Sequence, residues 1–516
     1  MAKNLVKTAG LLLVINIAVK LLGFIREIVI AKGFGASSYT DAYLAAYTIP
    51  YLLQAILGYA FVSAVLPLLS ECWQESGDNS RTFRLGSSLI NITAAGMLLL
   101  SIIGIAASPA LVWLVAPGLP RETAALAAGL ARIIFPSMIF MSAGMVISGV
   151  LNSRYRFGAA AIAPGLTSLA IILAVAWIAP GNIYALAWAT FIGFIAFFLV
   201  QLIDLPATGF RYRLVFSLGD PAIRRVFADL LPIVAGLSVN QIYTVVNRIF
   251  ASSLAEGSIS ALNYAAKLMN LPLGIFVAAV TTAVFPALAE LAQKRDSARL
   301  RGTVQRGLSL VLLFAVPAAA GLMLLDYEIV RLLFERGSFS AADTGITAAA
   351  LMPMAPGLIF LAMSMLLMRV CYALRDVRSP LITGGLSIIV NIGVSFLLVG
   401  PMGHAGLSLA NSIAAAVHAL LLFLILQRRL DLLRDRYVRR SLWQIILATL
   451  IMSLPVALIG RLWPHVSTKS GLALELLLLI GVAVAVYLLA LKLLHCQALG
   501  EILSELSRKE RRNRDD

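Results

Sequence analysis

The chain consists mostly of long apolar stretches separated by short polar breaks. The run LALELLLLIGVAVAVYLLALKLL at 472–494 does not alternate between apolar and polar positions, and similar stretches recur along the 516 residues. A helix needs about 20 residues to cross a hydrocarbon core of ~30 Å, whereas a membrane barrel would show alternation. The pattern therefore predicts an all-α polytopic membrane protein with about 14 transmembrane helices.

Internal repetition predicts that this fold has two related halves. The sequence AVLPLLSE at 64–71 recurs as AVFPALAE at 283–290, an offset of 219 positions. Because an even number of spans returns the chain to the same side, we expect two six-helix lobes related by a pseudo-two-fold axis along the membrane normal. The predicted domains are a first lobe at 1–220, a second lobe at 221–430, and 431–516 with two additional helices and a basic cytoplasmic tail.

Basic residues lie in alternate loops, which predicts the orientation of the chain. The loop at 428–440 carries six arginines, whereas the loops at 180–183 and 401–404 carry no lysine or arginine. By the positive-inside rule, both termini are predicted to be cytoplasmic. The formal net charge of +16 is then explained by the basic loops on the cytoplasmic side. We expect membrane lipids as partners and no nucleic acid.

The composition argues against several classes of function. Hydrophobic residues make up 60% of the chain and charged residues only 13%, which leaves little for a soluble domain. The three cysteines and four histidines lack the spacing of zinc ligands, and no Walker A, HExxH or CxxC motif occurs. The sequence predicts no metal, cofactor or catalytic residue.

Four cationic residues stand inside otherwise apolar spans: Lys20, Arg26, Arg248 and Lys267. A charge at membrane depth costs at least a few kcal/mol and persists where it faces a watery cavity or a partner. These cations therefore predict a transporter with an anionic cargo, because lysine and arginine both bind phosphate. For Arg26, the alternative is that the span ends nearby and that Arg26 pairs with Glu27 or reaches the interface.

Polar stripes at helical spacing accompany these cations. The stripe of the second span is Tyr43, Tyr47, Tyr51, Gln54 and Gly58. The stripe of the eighth span is Asn263, Lys267 and Asn270. Such stripes indicate wet helix faces, although single polar residues often join helices instead. The candidate substrate-binding residues are Lys20, Arg26, Asp41, Gln54, Arg248, Ser260, Asn263, Lys267 and Asn270.

Short runs along most of the chain carry a resemblance to a known family. They are LGFIRE at 22–27, AKGFGA at 31–36, TDAY at 40–43, ASSLAEGS at 251–258 and HAGLSL at 404–409. They resemble the MurJ (MviN) family, the lipid II flippases of bacterial peptidoglycan synthesis. The resemblance implies a MATE-like exporter fold, whose two extra helices form a groove for the lipid tail. It also implies the bacterial cytoplasmic membrane and a cargo linked to undecaprenyl pyrophosphate.

The resemblance assigns roles to some candidate residues and departs at others. Arg26 stands at a family arginine and Asp41 at a family acid, while Lys20 and Lys267 stand where many members have arginine. The departures are Gln54 in place of an arginine, and Ala266 and Asn270 in place of acidic residues. Arg248 is a candidate because the repeat aligns it with Arg26.

Two alternatives remain open. One is a flippase for another lipid-linked oligosaccharide, of the O-antigen or exopolysaccharide type. The other is a polytopic membrane glycosyltransferase, which is disfavoured because the segment at 326–343 interleaves its acids with arginines. We expect a transporter, not an enzyme, that acts by alternating access as a monomer. Membrane potential, or sodium or a proton bound at Asp41 or Asp229, is expected to drive it.

Overall fold

Nearly the whole chain is helical in the computed structural model, which describes residues 2–75, 80–434, 436–462 and 468–500. No strand occurs in these ranges. The helices are α1 (Ala2–Phe34), α2 (Ser38–Leu53), α3 (Tyr59–Glu75), α4 (Ser80–Ala106), α5 (Ser108–Val115), α6 (Arg121–Ile134), α7 (Ser137–Ser153), α8 (Gly158–Leu173), α9 (Ile183–Asp204), α10 (Pro221–Ser252), α11 (Ser258–Pro272), α12 (Ala278–Gln293), α13 (Ser297–Leu324), α14 (Asp326–Phe334), α15 (Ala341–Ala373), α16 (Arg378–Leu430), α17 (Arg436–Leu462) and α18 (Lys469–Leu493).

Many of these helices can cross a membrane. Among the described residues, nine helical stretches are long and apolar enough, and the bent pair α6 and α7, with 43° between its helices, makes a tenth. The 53 residues of α16 would extend about 80 Å, but the backbone breaks at Gly403, where φ is 55°. The predicted all-α polytopic fold is confirmed. The count of 14 spans stays a prediction.

Packing divides the chain into two compact units. The first contains Met1–Ser260 with Arg336–Ser340, and the second contains Ala261–Glu335 with Ala341–Asp516. By this criterion α10 belongs to the first unit, whereas the sequence repeat assigns it to the second lobe. The lobe boundaries at 220 and 430 therefore stay a prediction. The basic tail at 508–514 lies outside the described residues.

Each unit has its own apolar core. In the first, Met141, Phe194 and Phe197 form a buried cluster between α7 and α9. In the second, the additional pair α17 and α18 packs through Val456 and Leu476. The Tyr487 hydroxyl of α18 donates a hydrogen bond to the Leu313 carbonyl of α13, at 2.8 Å. The terminal helix pair is therefore an integral part of the second unit.

The backbone repeats local features at the offset found in the sequence. Helix α2 continues into a π-helical turn at Gln54–Gly58, and α11 continues into another at Leu273–Val277. The two turns start 219 positions apart, and prolines Pro50 and Pro272 precede them. Proline removes a helical hydrogen bond, and π-turns interrupt regular helices. The helices that carry the predicted polar stripes are therefore irregular at matching places.

A non-helical segment at 210–217 connects α9 to α10 and docks on α4. The Asn91 amide donates to the carbonyls of Arg213 and Val215, at 3.3 and 3.0 Å, and accepts from the Tyr212 hydroxyl at 2.6 Å. Ser87 accepts a hydrogen bond from the backbone N–H of Arg213 at 3.0 Å. One face of α4 thus holds the backbone of the segment in place.

We expect Asn91→Ala to release this segment without unfolding the bundle. The change removes three hydrogen bonds, each contributing about 1 kcal/mol, and Arg211 and Arg213 are already exposed. Limited trypsin digestion should cut at these arginines faster than in the wild type. The control Asn16→Ala, at an exposed position on α1, should digest like the wild type. Equal digestion of all three proteins would contradict the prediction.

Candidate functional site

Arg26 of α1 forms an ion pair with its neighbour in the sequence. Its Nη2 lies 2.6 Å from Oε1 of Glu27, whose side chain is 7% exposed, against 23% for Arg26. The Nε of Arg26 is buried and makes no hydrogen bond within the described residues. The pairing with Glu27 considered from the sequence does form, but α1 continues to Phe34, so the span does not end there. The guanidinium keeps a buried donor that Glu27 does not use.

Counting from the turn between α1 and α2 gives the depth of each candidate. Phe34 ends α1 and Ser38 begins α2, so positions equally far from this turn lie at similar depth. At 1.5 Å per residue, Arg26 and Tyr47 lie ~13 Å from the turn, and Lys20 and Tyr51 lie ~20 Å from it. A hydrocarbon core is ~30 Å thick. Neither α1 nor α2 is among the candidate spans found in the described residues, so the position of these cations within the membrane stays a prediction.

The tyrosines of the predicted stripe stack on one another along α2. The ring centroids of Tyr43 and Tyr47 are 6.0 Å apart, and those of Tyr47 and Tyr51 are 5.6 Å apart. Tyr43 and Thr190 share a hydrogen bond of 2.9 Å. Arg26 interacts electrostatically with Tyr47 and Tyr43. The structure thus brings one predicted cation and the predicted aromatic stripe together.

Asp41 joins the start of α2 to the start of α11. Its Oδ2 accepts the backbone N–H of Gly257 and its Oδ1 that of Ser260, both at 2.8 Å. Oδ1 also accepts the Ser260 hydroxyl. Asp41 is only 4% exposed, and Arg248 interacts with it electrostatically. The structure therefore brings together three candidates, Asp41, Arg248 and Ser260, and the geometry of Asp41 is that of a helix cap.

The capping is reciprocal. Glu256, just before α11, accepts the backbone N–H of Ser38 at the start of α2, at 2.8 Å. Gly257 has φ of +81°, and a Cβ there would lie 2.2 Å from the Ala36 carbonyl oxygen. Only glycine fits this close approach without displacing backbone. The separation of Asp41 and Ser260, 219 positions, equals the repeat offset, so the N-termini of equivalent helices meet here.

A second pair of contacts follows the same offset. The backbone N–H of Gly118 donates to the Ser252 hydroxyl of α10 at 3.0 Å. Gly337 lies 219 positions after Gly118, and a Cβ there would lie 2.4 Å from the Lys32 carbonyl oxygen near the end of α1. The backbone N–H of Ser338 donates to the same oxygen at 2.9 Å. Equivalent turns therefore dock on the ends of equivalent helices.

The remaining candidates are distributed as follows. Asn263, Lys267 and Asn270 lie on α11 within the second unit, with Asn263 and Lys267 partly buried and Asn270 exposed. Their spacing places them on one helix face. The side chain of Gln54 lies outside the described part of the chain. The substrate-binding role of all nine residues stays a prediction.

Sequence reasoning did not predict that Glu27 is buried, or that Glu256 and Gly257 take part in the cap. The repeat offset was the available signal for the cap, because it aligns Asp41 with Ser260. Within the ranges that the structure describes, no three His, Cys, Asp or Glu side chains are grouped as a metal ion would require. The Arg26 guanidinium, with its buried Nε donor, can bind an anionic or polar group.

Comparisons with known proteins identify the family. The family model described as "Lipid II flippase MurJ" matches residues 30–478. A lipid II flippase MurJ from Burkholderia cenocepacia is 34% identical over 420 residues, covering 79% of this chain and 81% of its own length. The chain belongs to the MurJ family of lipid II flippases. The family model begins after Lys20 and Arg26 and covers the positions of the other candidate substrate-binding residues.

Solved structures agree with the MurJ assignment. A structure titled "Lipid II flippase MurJ, inward closed conformation" superposes with a TM-score of 0.79 at 26% identity, covering 93% of this chain and 97% of the other. An inward-facing MATE family multidrug transporter of the MOP superfamily superposes with a TM-score of 0.65 at 15% identity, covering 81% and 98%. The fold is therefore that of MurJ and the MATE-like exporters. Because MurJ proteins are flippases, the glycosyltransferase alternative is set aside.

Proposed function

We propose that this protein moves lipid II, the undecaprenyl-pyrophosphate-linked peptidoglycan precursor, from the inner to the outer leaflet of the bacterial cytoplasmic membrane by alternating access. Family membership over residues 30–478 carries the proposal. Lys20 and Arg26 support it, because phosphates would otherwise lose their water in hydrocarbon. The fixed cations replace part of that hydration while the prenyl chain stays in lipid.

The hydrogen-bonding capacity of Arg26 suits this role. Glu27 binds one terminal nitrogen, and the buried Nε remains as a donor. A guanidinium can hold a carboxylate and a phosphate together because its five donors point in fixed directions. We infer that the pyrophosphate binds beside this pair, with Lys20 about 9 Å further along α1 as a second positive charge.

The remaining parts of the proposal concern orientation, assembly and driving force. Both termini are placed in the cytoplasm, because the arginine-rich loop at 428–440 then faces anionic lipids. The protein acts as a monomer, with one site per chain. Either the membrane potential, which acts directly on a cationic site, or a sodium or proton gradient drives the cycle.

Transport by the purified protein tests the proposal. Reconstituted into liposomes, it should expose lipid II on the opposite leaflet, measured by its accessibility to an added sugar-modifying enzyme, and protein-free liposomes should not. Collapsing the membrane potential, the sodium gradient and the proton gradient separately should identify the driving force. In cells, the protein should restore growth after depletion of the native flippase. Transport of a different undecaprenyl-linked oligosaccharide, with none of lipid II, would favour the alternative that Gln54 and Asn270 leave open.

A further inference from the structure

The stacked tyrosines of α2 become more exposed along the helix. Tyr43 is 5% exposed, Tyr47 is partly buried against the apolar cluster of α7 and α9, and Tyr51 is 42% exposed. The two inner rings are thus held by Thr190 and by the core. Tyr51 is the outermost ring of an ordered stack, so its orientation is supported from behind.

The depth of Tyr51 argues against an ordinary anchoring role. Tyrosines that anchor a protein in the bilayer lie at the membrane interfaces, near the ends of spans. Tyr51 lies ~20 Å from the turn that begins α2, at the depth of Lys20. Lys20, at a similar distance from the turn, is exposed, and a charged ammonium favours polar surroundings. An exposed aromatic ring in such surroundings has the setting of a ligand-binding residue.

Recognition of the phosphates does not require the aromatic ring of Tyr51, whereas recognition of a sugar would use it. Phosphate is held by cations and N–H donors, which Arg26 and Lys20 supply. A pyranose ring has an apolar face of C–H groups, which packs on the face of an aromatic ring, and a rim of hydroxyls that stays in water. In a lipid-linked glycan the first sugar is bonded directly to the pyrophosphate. The tyrosine stack that ends at Tyr51 passes Arg26, which interacts electrostatically with Tyr47 and Tyr43, so we expect the first sugar at the outer face of the stack.

We propose that Tyr51, supported by Tyr47 and Tyr43, is a stacking platform for the first sugar of the cargo. The inference rests on the proposed function and deepens it, because it assigns recognition of the glycan to α2 and recognition of the pyrophosphate to α1. The phenol hydroxyl of Tyr51 is not required for stacking. The aromatic ring is required.

The test compares two ligands that differ only in the glycan. Affinities for lipid II and for undecaprenyl pyrophosphate, which has no sugar, are measured for the wild type, Tyr51→Ala and Tyr51→Phe. Tyr51→Ala should weaken binding of lipid II about tenfold, the loss expected when one good aromatic contact is removed. Its affinity for undecaprenyl pyrophosphate should stay within about twofold. Tyr51→Phe should bind both ligands like the wild type.

Tyr39→Ala is the matched control, because Tyr39 lies on the same helix, is 55% exposed and is outside the stack. It should bind both ligands normally. Unchanged binding of lipid II by Tyr51→Ala, or an equal loss for both ligands, would overturn the platform. If the wild type binds a different undecaprenyl-linked glycan but not lipid II, the proposed cargo is wrong. The platform is then judged by whether Tyr51→Ala selectively weakens binding of that glycan.

Discussion

Replacing Arg26 with alanine should reduce lipid II transport by at least about 30-fold. The change removes the guanidinium that lies beside the proposed pyrophosphate site, deep within α1. Loss of a buried, hydrogen-bonded charge partner costs about 2–5 kcal/mol, and each 1.4 kcal/mol is a factor of ten in affinity. Transport in proteoliposomes and growth of a flippase-depleted strain are the measurements. Arg26→Lys keeps the charge but not the planar group of donors, and should show an intermediate rate.

The control must separate loss of the site from loss of the fold. Arg26→Ala leaves Glu27 buried without its ion-pair partner, which destabilises proteins by about 3–5 kcal/mol. The double variant Arg26→Ala with Glu27→Gln removes both charges, so its stability should recover toward that of the wild type. Transport should not recover. Normal transport by the double variant would show that Arg26 serves only to neutralise Glu27.

The sequence predicted the features that depend on periodicity. The all-α polytopic fold follows from continuous apolar runs. Four-residue spacing also predicted that the tyrosines of α2 share one helix face, and they stack there, but Tyr43 is 5% exposed and so is not on a wet face. These inferences succeed because helical geometry relates nearby positions directly.

Contacts between distant segments were not predictable in the same way. Asp41 and Ser260 are both polar residues near helix starts, but nothing local in the sequence shows that one caps the other. Similarly, Arg26 and Glu27 are neighbours in sequence, yet only the packing of α1 shows that Glu27 is buried at 5% exposure. Which of the candidate substrate-binding residues on α1 and α11 come together also depends on tertiary packing. Composition and residue spacing do not predict this packing.

Asp41→Ala should lower thermal stability strongly. The change removes the acceptor for two buried backbone N–H groups, those of Gly257 and Ser260, and each unpaired buried donor costs about 1–3 kcal/mol. It also removes the negative charge near Arg248. We expect the midpoint of thermal unfolding in detergent to fall by about 5 °C or more. The unfolding midpoint of Asp41→Asn should lie between those of the wild type and Asp41→Ala. The amide oxygen of asparagine can accept a hydrogen bond from Ser260, but its NH₂ group cannot accept one from Gly257.

Glu256→Ala is the matched control for this prediction. Glu256 makes the same kind of bond at the start of α2, also at 2.8 Å, but it is exposed, so water can replace the lost acceptor and the midpoint should change little. Binding of undecaprenyl pyrophosphate, measured below both unfolding transitions, separates the two roles of Asp41. If Asp41 is only a cap, Asp41→Asn should bind undecaprenyl pyrophosphate as tightly as the wild type. If Asp41 contacts the substrate, Asp41→Asn should bind it with altered affinity while the unfolding midpoint stays unchanged. An unfolding midpoint of Asp41→Ala equal to that of Glu256→Ala would rule out the buried cap as a stabilising element.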